Sequence, residues 1–203
     1  MDIDWAVPQH GRQFRDEDWY AEDLGSARFT ECTFTGVDLS EATSSGAVFD
    51  QCTFHHCRLN AGVHRTTAFV ACDFRRTSLF DATLEGCKLT GSVFADCRLR
   101  PMRVVGGQWR GVTIRGANLT KLDLSGLDLR EADLSLSDLS GTVLRDARLE
   151  GATLRETVLT GADLRGAGLD GVDLSAARLK DTRLDLTGAM LLAELHGAVV
   201  DPA

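Results

Sequence analysis

The sequence contains few prolines and few aromatic residues, and it has no long apolar run. Its 203 residues include three prolines and one tyrosine, and aromatic residues make up 6% of the chain. No run reaches the roughly 18 to 20 apolar residues of a transmembrane helix, and the first five residues are acidic where a signal peptide is basic. We therefore expect a cytoplasmic protein without a membrane partner.

Basic residues are outnumbered by acidic residues. Lysine and arginine number 22 against 30 acidic residues, which gives a formal net charge of -8. Phosphate contacts need clustered cations, so this balance argues against direct nucleic-acid binding. An acidic chain of this kind favours a basic partner.

A strict period of five residues dominates the chain. One phase of this period, the large slot, holds 35 residues from Phe14 to Leu184, of which 21 are Leu, 8 are Phe and 2 are Trp. The small slot, two residues earlier, holds mostly small residues, and 14 of the 20 glycines lie two residues after the large slot. Neither a helix nor a strand has this period. Glycine at one fixed position predicts a turn with positive φ in every repeat. A turn every five residues, with the large and small slots both facing one axis, produces a coil with a corner at each repeat.

Runs such as Ala132-Asp133-Leu134-Ser135 and Ala162-Asp163-Leu164-Arg165-Gly166 resemble the A(D/N)LXX signature of the pentapeptide repeat family. The resemblance implies an all-β fold, a right-handed quadrilateral parallel β-helix with four pentapeptides per coil, here about 8.75 coils. We predict an N-terminal cap over residues 1–11, the β-helix over 12–186, and a short C-terminal helix and tail over 187–203. The unbroken register predicts a rod without projecting loops.

The six cysteines all fall in the small slot, which predicts buried, reduced thiols. They are Cys32, Cys52, Cys57, Cys72, Cys87 and Cys97. Cys52 and Cys57 flank His55 and His56, a donor set that zinc would accept. The period sends the cysteines inward and the histidines outward, so we predict no metal site. We likewise expect no cofactor and no enzymatic activity, because no catalytic constellation or cleft is evident.

Two residues of the large slot are polar, and a third is unusually large. Ser44 and His64 occupy the large slot on the same face of consecutive coils. Two interpretations stay open for them: a core irregularity with a hydrogen-bonded or outward-flipped histidine, or a contact point for a partner. Trp109 follows Gly107, which indicates a large ring compensated by a missing side chain.

The acidic residues suggest a binding surface. Four aspartates precede successive large-slot residues and ring one coil, and two more repeat the pattern later: Asp123, Asp128, Asp133, Asp138, Asp163 and Asp173. Aspartate here either belongs to the repeat signature, bonding the turn backbone, or forms a functional surface. Residues 1–50, 51–122 and 123–203 carry net charges of -8, +7 and -7, so the rod is acidic at both ends with a basic waist.

The C-terminal segment breaks the period. We predict a short helix capped by Thr187 and ended by Gly197, with more apolar surface than capping the last coil requires. Either it caps the coil alone or it also forms a two-fold dimer interface, which we predict to contain Met190, Leu191, Leu192, Leu195, Val199 and Val200.

Several runs, among them Gly91-Ser92-Val93-Phe94 and Leu195-His196-Gly197, resemble the DNA gyrase-interacting MfpA/Qnr group of this family. The resemblance implies a homodimer joined at its C-termini that mimics DNA, occupies the DNA-binding saddle of gyrase, and modulates or inhibits it. It also implies resistance to fluoroquinolones or other gyrase poisons. The alternative is a passive interaction scaffold for another basic partner.

Overall fold

The computed structural model describes residues 4–201. Within that range the chain forms fourteen strands of two or three residues and one helix. The strands are β1 (Gln9–His10), β2 (Gln13–Arg15), β3 (Arg28–Thr30), β4 (Thr33–Thr35), β5 (Thr43–Ser45), β6 (Val48–Asp50), β7 (Thr53–His55), β8 (Val63–Arg65), β9 (Ala68–Val70), β10 (Asp73–Arg75), β11 (Thr83–Glu85), β12 (Val93–Ala95), β13 (Arg103–Val105) and β14 (Thr113–Ile114). The helix is α1 (Leu186–Leu195).

The strands stack in parallel at a constant offset of 20 residues, as in the pairs Gln9–Phe29, Phe14–Phe34 and Ser44–His64. Face 1 of the coil holds β1, β3, β6 and β9, face 2 holds β2, β4, β7, β10, β12 and β14, and face 4 holds β5, β8, β11 and β13. Face 3 consists of isolated parallel bridges that begin at Asp18–Asp38. The predicted four-sided parallel β-helix of pentapeptide repeats is confirmed.

Regular strands give way to isolated bridges in the C-terminal half, but the 20-residue pairing continues. The bridges include Asp133–Thr153 on face 2 and reach Asp163–Arg183 on face 4. Backbone N–H groups still donate to the next coil there, as from Leu144 to Asp163 at 2.8 Å. The solenoid therefore extends to the start of α1.

The core consists of the two inward slots. Every large-slot residue from Phe14 to Leu174 is buried except Val104, which is half-buried. Phe34, Phe54 and Phe74 stack with ring centroids 4.7 and 4.6 Å apart, and Phe29 stacks on Phe49 at 4.9 Å. Such aromatic pairs contribute about 0.5–1.5 kcal/mol each beyond the area that they bury. The phenylalanines of faces 1 and 2 therefore form two continuous stacks inside the solenoid.

The turn position two residues after the large slot, here called the left-handed slot, has positive φ as predicted, although many of its residues are not glycine. Eighteen non-glycine residues of the described chain adopt φ between 45° and 65°, for example Asp16 and Glu41. This conformation costs roughly 1 kcal/mol or more for an L-residue. Each such residue can donate its N–H to the next coil, as Glu41 does to Asn60, and this ladder bond helps to hold the turn.

The stack of coils opens at the basic waist, where the sequence predicted an unbroken rod. Within the described chain, no backbone hydrogen bond joins residues 96–106 to residues 115–125 on faces 3 and 4. Face 1 stays closed beside the opening, since Trp109 donates to Asp128 at 2.8 Å, and β12 pairs with β14 on face 2. We call this opening the waist cleft. A smaller opening separates residues 152–156 from 172–176 on face 2.

Helix α1 packs against the last coil. Its N-cap is Asp185, not Thr187 as predicted, because the Asp185 carboxylate accepts the Gly188 N–H at 2.9 Å and the Gly166 N–H at 2.8 Å. Gly197 ends the helix as predicted, with φ of 85° and its N–H donated to Glu194. Across residues 4–201, no helix is long and apolar enough to cross a bilayer.

Candidate interaction surface

The six aspartates that the sequence predicts as a binding surface all accept a hydrogen bond from the backbone of their own turn. In each, Oδ1 accepts the N–H two residues later: Ser125, Arg130, Ser135, Ser140, Arg165 and Ser175, at 2.8–3.3 Å. The serine hydroxyls of residues 125, 135 and 140 add a second bond. Every one of these aspartates therefore has a structural role, whatever else it does.

Two of the six are neutralised by arginine. Asp128 accepts two bonds from Arg130, at 2.8 and 2.7 Å, and the Arg130 guanidinium lowers the pKa of the Asp128 carboxyl. Asp163 is nearly buried between Arg165 at 2.8 Å and Arg145 at 2.6 Å, and these arginines hold its pKa well below its usual range. Neither carboxylate presents a free negative charge to a partner.

Three of the remaining four aspartates have no arginine within 4 Å in the described chain: Asp123, Asp138 and Asp173. Asp133 lies 3.6 Å from Arg115. The bonds from Ser175 lower the pKa of Asp173. Among the six predicted aspartates, these four carboxylates therefore provide most of the negative charge that a partner could contact.

The structure places the ring of four on four different faces. Asp123 belongs to the bridge ladder of face 4, Asp128 to face 1, Asp133 to face 2 and Asp138 to face 3. Asp163 joins face 4, and Asp173 lies on face 2, 20 residues after Thr153. A partner that contacts one side of the rod can therefore contact only some of them.

Charge is unevenly divided among the faces of the C-terminal coils. Between residues 122 and 186, faces 1 and 2 each carry a net charge of -2, face 4 carries -1 and face 3 is neutral. Faces 1 and 2 are adjacent and share a corner. They form the most acidic side of this half, which we call the acidic side.

A denser acidic patch at the N-terminal end was not nominated from the sequence. Glu17, Asp18, Asp38 and Glu41 lie on face 3 of the first two coils. Arg58 contacts Asp38 at 2.7 Å, and against the opposing effect of partial burial it helps to lower the pKa of Asp38 to about 2. Assigning residues to faces by their 20-residue spacing would have found this patch.

The thiols follow the prediction with one exception. Five of the six cysteines are buried, and all six are free. Cys97 is half-buried because it borders the waist cleft, so its predicted full burial is wrong. Burial raises the pKa of Cys57, Cys87 and Cys97 to about 11. Among residues 4–201, no group of His, Cys, Asp and Glu is placed to hold a metal ion.

His64 is a hydrogen-bonded member of the core, not flipped outward. Its Nδ1 lies 2.7 Å from the Ser44 hydroxyl, which lies 2.8 Å from the Thr67 hydroxyl, which donates to the Arg65 carbonyl at 3.1 Å. Its Nε2 has no partner in the described chain. Burial lowers the pKa of His64 to about 4, so the ring is neutral at pH 7.

Comparison with known families identifies the repeat. Two sequence models, both described as pentapeptide repeats, match the chain, one over residues 67–100, 110–146 and 143–181 and the other over residues 24–63. The chain belongs to the pentapeptide repeat family. The predicted resemblance is confirmed for most of the solenoid.

Two curated relatives carry the name pentapeptide repeat protein MfpA. The one from Mycobacterium tuberculosis (strain ATCC 25618 / H37Rv) is 38% identical over 119 residues, which cover 54% of this chain and 52% of the relative. The one from Mycolicibacterium smegmatis (strain ATCC 700084 / mc(2)155) is 49% identical over 51 residues, or 25% and 27% of the two chains. The chain thus spans about half the length of the first relative and about a quarter of the second.

Solved structures of the family share the fold of this pentapeptide repeat protein. Two trypsin-treated forms of QnrB1, a plasmid-mediated fluoroquinolone resistance protein, superpose with TM-scores of 0.52 and 0.54 at 21% and 20% identity. Each comparison covers 96% of this chain and 98% of QnrB1. At that identity the likeness concerns the fold alone.

Proposed function

We propose that this protein binds DNA gyrase as a mimic of DNA, at the saddle where gyrase holds duplex DNA, and that it modulates or inhibits the enzyme. Resistance to fluoroquinolones or other gyrase poisons would follow from that contact. The similarity to MfpA over half the chain supports membership of this functional group. The acidic side of the C-terminal coils is the structural observation that carries the proposal. The protein acts by binding and catalyses no reaction.

The charge of the rod can be compared with that of DNA. Residues 123–186 hold 13 acidic and 8 basic residues, spread over about three coils, or roughly 15 Å at ~4.8 Å per coil. Two protomers joined end to end present a net charge of -10 over roughly 30 Å, a length of duplex that carries about 18 phosphates. Shape and long-range steering must therefore supplement local charge, and binding should weaken with salt.

A C-terminal dimer is part of the proposal, and the exposed apolar side chains of α1 and of the tail that follows it support the dimer. Leu191 and Leu192 pack against the core and cap the last coil. Leu186, Leu195 and Val199 point away from it and are 76%, 36% and 96% exposed. Apolar side chains this exposed at one end of the rod favour a second copy as their partner. Of these three, Leu186 was not nominated from the sequence.

Gyrase supercoiling assays with two matched double variants test the mimicry. Asp133→Asn with Asp173→Asn removes two charges from face 2, and Asp123→Asn with Asp138→Asn removes two from faces 4 and 3. Asparagine keeps the oxygen that accepts the turn N–H in all four. We expect the face 2 variant to need about tenfold more protein for half-inhibition, and the control to stay near wild type.

Other outcomes have distinct meanings. Equal losses in both variants would show that total charge matters and the acidic side does not. Wild-type inhibition by both variants and by the combined Asp123, Asp128, Asp133 and Asp138 asparagine variant, without salt dependence, would contradict electrostatic mimicry. A passive scaffold for another basic partner would then be the better explanation.

Sedimentation tests the dimer. Deleting residues 187–203 should give a monomer, although it also uncaps the last coil. Leu186→Glu with Val199→Glu avoids that difficulty, because both side chains are exposed and the cap formed by Leu191 stays. A dimer that persists in the double variant would move the interface to a face of the solenoid.

A further inference from the structure

At the waist cleft, two neighbouring coils each expose a backbone edge. The corresponding edges of the adjacent coils are hydrogen-bonded to one another. On a closed face 3, the large-slot N–H donates to the next coil, as Leu79 does to Arg98 at 2.8 Å. The corresponding bond from Leu99 to Asn118 is absent, and so is the bond from Asn118 back to Cys97. On face 4 the bonds between Val104 and residue 123 are missing too. Strand β13 is therefore an edge strand inside the solenoid.

Proline at the left-handed slot accounts for the opening. Pro101 occupies a position where φ is positive in nearly every other repeat, and its ring fixes φ near -65°. It also has no N–H to donate to the next coil. Among the described solenoid turns the other slots without positive φ hold Ser26 and Ala176. Gly25 takes positive φ beside Ser26, and Ala176 lies in the smaller opening of the ladder.

The cleft has the size of a binding site. A cavity of about 500 Å³ on face 3 is lined by Cys97, Arg98, Leu99, Arg100, Pro101 and Asn118. A second, of about 390 Å³, continues along the same coil on face 4 beside β13. Both volumes fall within the range of about 300–1,000 Å³ that is typical of ligand clefts.

The walls of the face 3 cavity are basic and free of acidic partners. Residues 97–101 and 117–121 contain Arg98, Arg100 and Lys121 and no acidic residue. Arg98 lies over the Phe80 ring at 4.1 Å, and Arg100 donates to the Asn118 side chain at 3.3 Å. No carboxylate of the described chain lies within 4 Å of these three cations.

We propose that the waist cleft is a docking site for an extended acidic peptide segment of another protein, which adds to the open coil edge on face 3. The free N–H groups of Leu99 and Asn118 donate to the peptide backbone, in the manner of strand addition at a sheet edge. Carboxylates on alternate residues of the peptide reach Arg98 and Arg100, and the intervening side chains point toward half-buried Cys97. This site does not depend on the proposed binding of gyrase.

A fluorescein-labelled octapeptide of alternating glutamate and valine is the probe. Fluorescence anisotropy should show saturable binding, and hydrogen exchange should show the Leu99 and Asn118 amides to be fast in the free protein and protected in the complex. An alternating lysine and valine peptide should not bind. The same glutamate peptide with N-methylated backbone should bind more weakly, because its N–H groups are lost.

Two variants and one matched control separate the effect of charge from that of the open edge. Arg98→Gln with Arg100→Gln should weaken binding about tenfold, whereas Arg28→Gln with Lys88→Gln, on closed face 1, should leave it unchanged. Pro101→Gly restores an N–H and allows positive φ, so it should close the ladder, slow exchange at Leu99 and abolish binding with every charge retained.

Three results would overturn the proposal. The first is no binding of the glutamate peptide to the wild-type protein. The second is binding without protection of the Leu99 and Asn118 amides, whatever Pro101→Gly does. The third is equal binding of an oligothymidylate of eight nucleotides without amide protection, which would identify a general polyanion surface in place of a peptide site.

Discussion

Replacing His64 by leucine tests the chemistry of the core. Histidine occupies a slot that leucine fills in 21 of 35 repeats, and it is 1% exposed. Its Nδ1–H can donate to Ser44, which donates to Thr67, which donates to the Arg65 carbonyl, so one consistent direction satisfies the chain of bonds. Nε2 then remains a bare acceptor. The ring is tolerated because it is neutral.

The magnitude follows from the pKa of the imidazole. Burial lowers it from 6.5 to about 4, and one pKa unit corresponds to about 1.4 kcal/mol. The unfolded chain binds a proton at His64 more readily than the folded protein does. The lowered pKa of His64 therefore does not reduce the free energy of unfolding above pH 6.5, and it reduces that free energy as pH falls from 6.5 to 4. The wild-type protein should lose about 3 kcal/mol over this interval relative to His64→Leu. At pH 7 the two should agree within about 1 kcal/mol, because one hydrogen bond is lost and one unpaired nitrogen is removed.

Urea unfolding at several pH values between 4 and 7.5 measures this difference. Carboxylates titrate in the same range, but they are common to both proteins, so the difference between the two curves isolates His64. His56→Gln is the matched control, since it removes a histidine from the outer surface and leaves His64 in place. A constant difference across the range would refute the argument, because it would mean that His64 can be protonated in the folded state without cost.

Three further predictions concern local structure. Among the six thiols, Cys97 should react first with a disulfide reagent in the native protein, and several equally fast cysteines would mean that the inward register is wrong. Gly107→Ala should destabilise the fold by about 3 kcal/mol in urea, since its new Cβ would lie 2.5 Å from the Cys87 carbonyl at φ of 128°. Gly111→Ala, with open space and φ of 65°, should cost about 1 kcal/mol. Asp185→Ala removes the N-cap of α1 and should cost about 1 kcal/mol with a loss of helical circular dichroism.

The fold could be predicted from the sequence because its core is repeated at short range. Each pentapeptide contains its own large residue, small residue and turn. The period of five therefore identifies the inward-facing residues without any knowledge of distant contacts. The resemblance to the family added the number of repeats in a coil. Residues such as Phe34 and Phe54 then had to stack, since they lie one coil apart.

The waist cleft was missed because the apolar period continues through it. Leu99 and Trp109 keep the register, and only the residue type at one turn reveals the conflict. Pro101 cannot adopt the backbone conformation that this position requires, which the sequence alone could have shown. The half-buried state of Cys97 and Val104 follows from the same opening.

The region of each charge was predictable and its face follows from the 20-residue spacing, but the pairing of charges with one another was not predictable. The six aspartates were recognised from their place in the repeat, and the turn bonds that they accept follow from that place. Neutralisation of Asp128 and Asp163 depends on which arginine side chains reach them, from Arg130 two residues away and from Arg145 in the preceding coil. Such contacts depend on side-chain conformation, which the period does not specify.

The two proposed surfaces lie on opposite sides of one rod, and their geometry makes them separable. Faces 1 and 2 stay closed next to the cleft and become acidic in the C-terminal coils, whereas faces 3 and 4 open at the waist and are basic there. A groove that is shaped for DNA repels the waist and attracts the acidic side, so gyrase would leave the cleft free. Pro101→Gly should then abolish binding of the acidic peptide while gyrase inhibition stays unchanged, and Asp133→Asn with Asp173→Asn should do the reverse. A single variant that removed both activities while the protein remained folded would show that the two faces do not act independently.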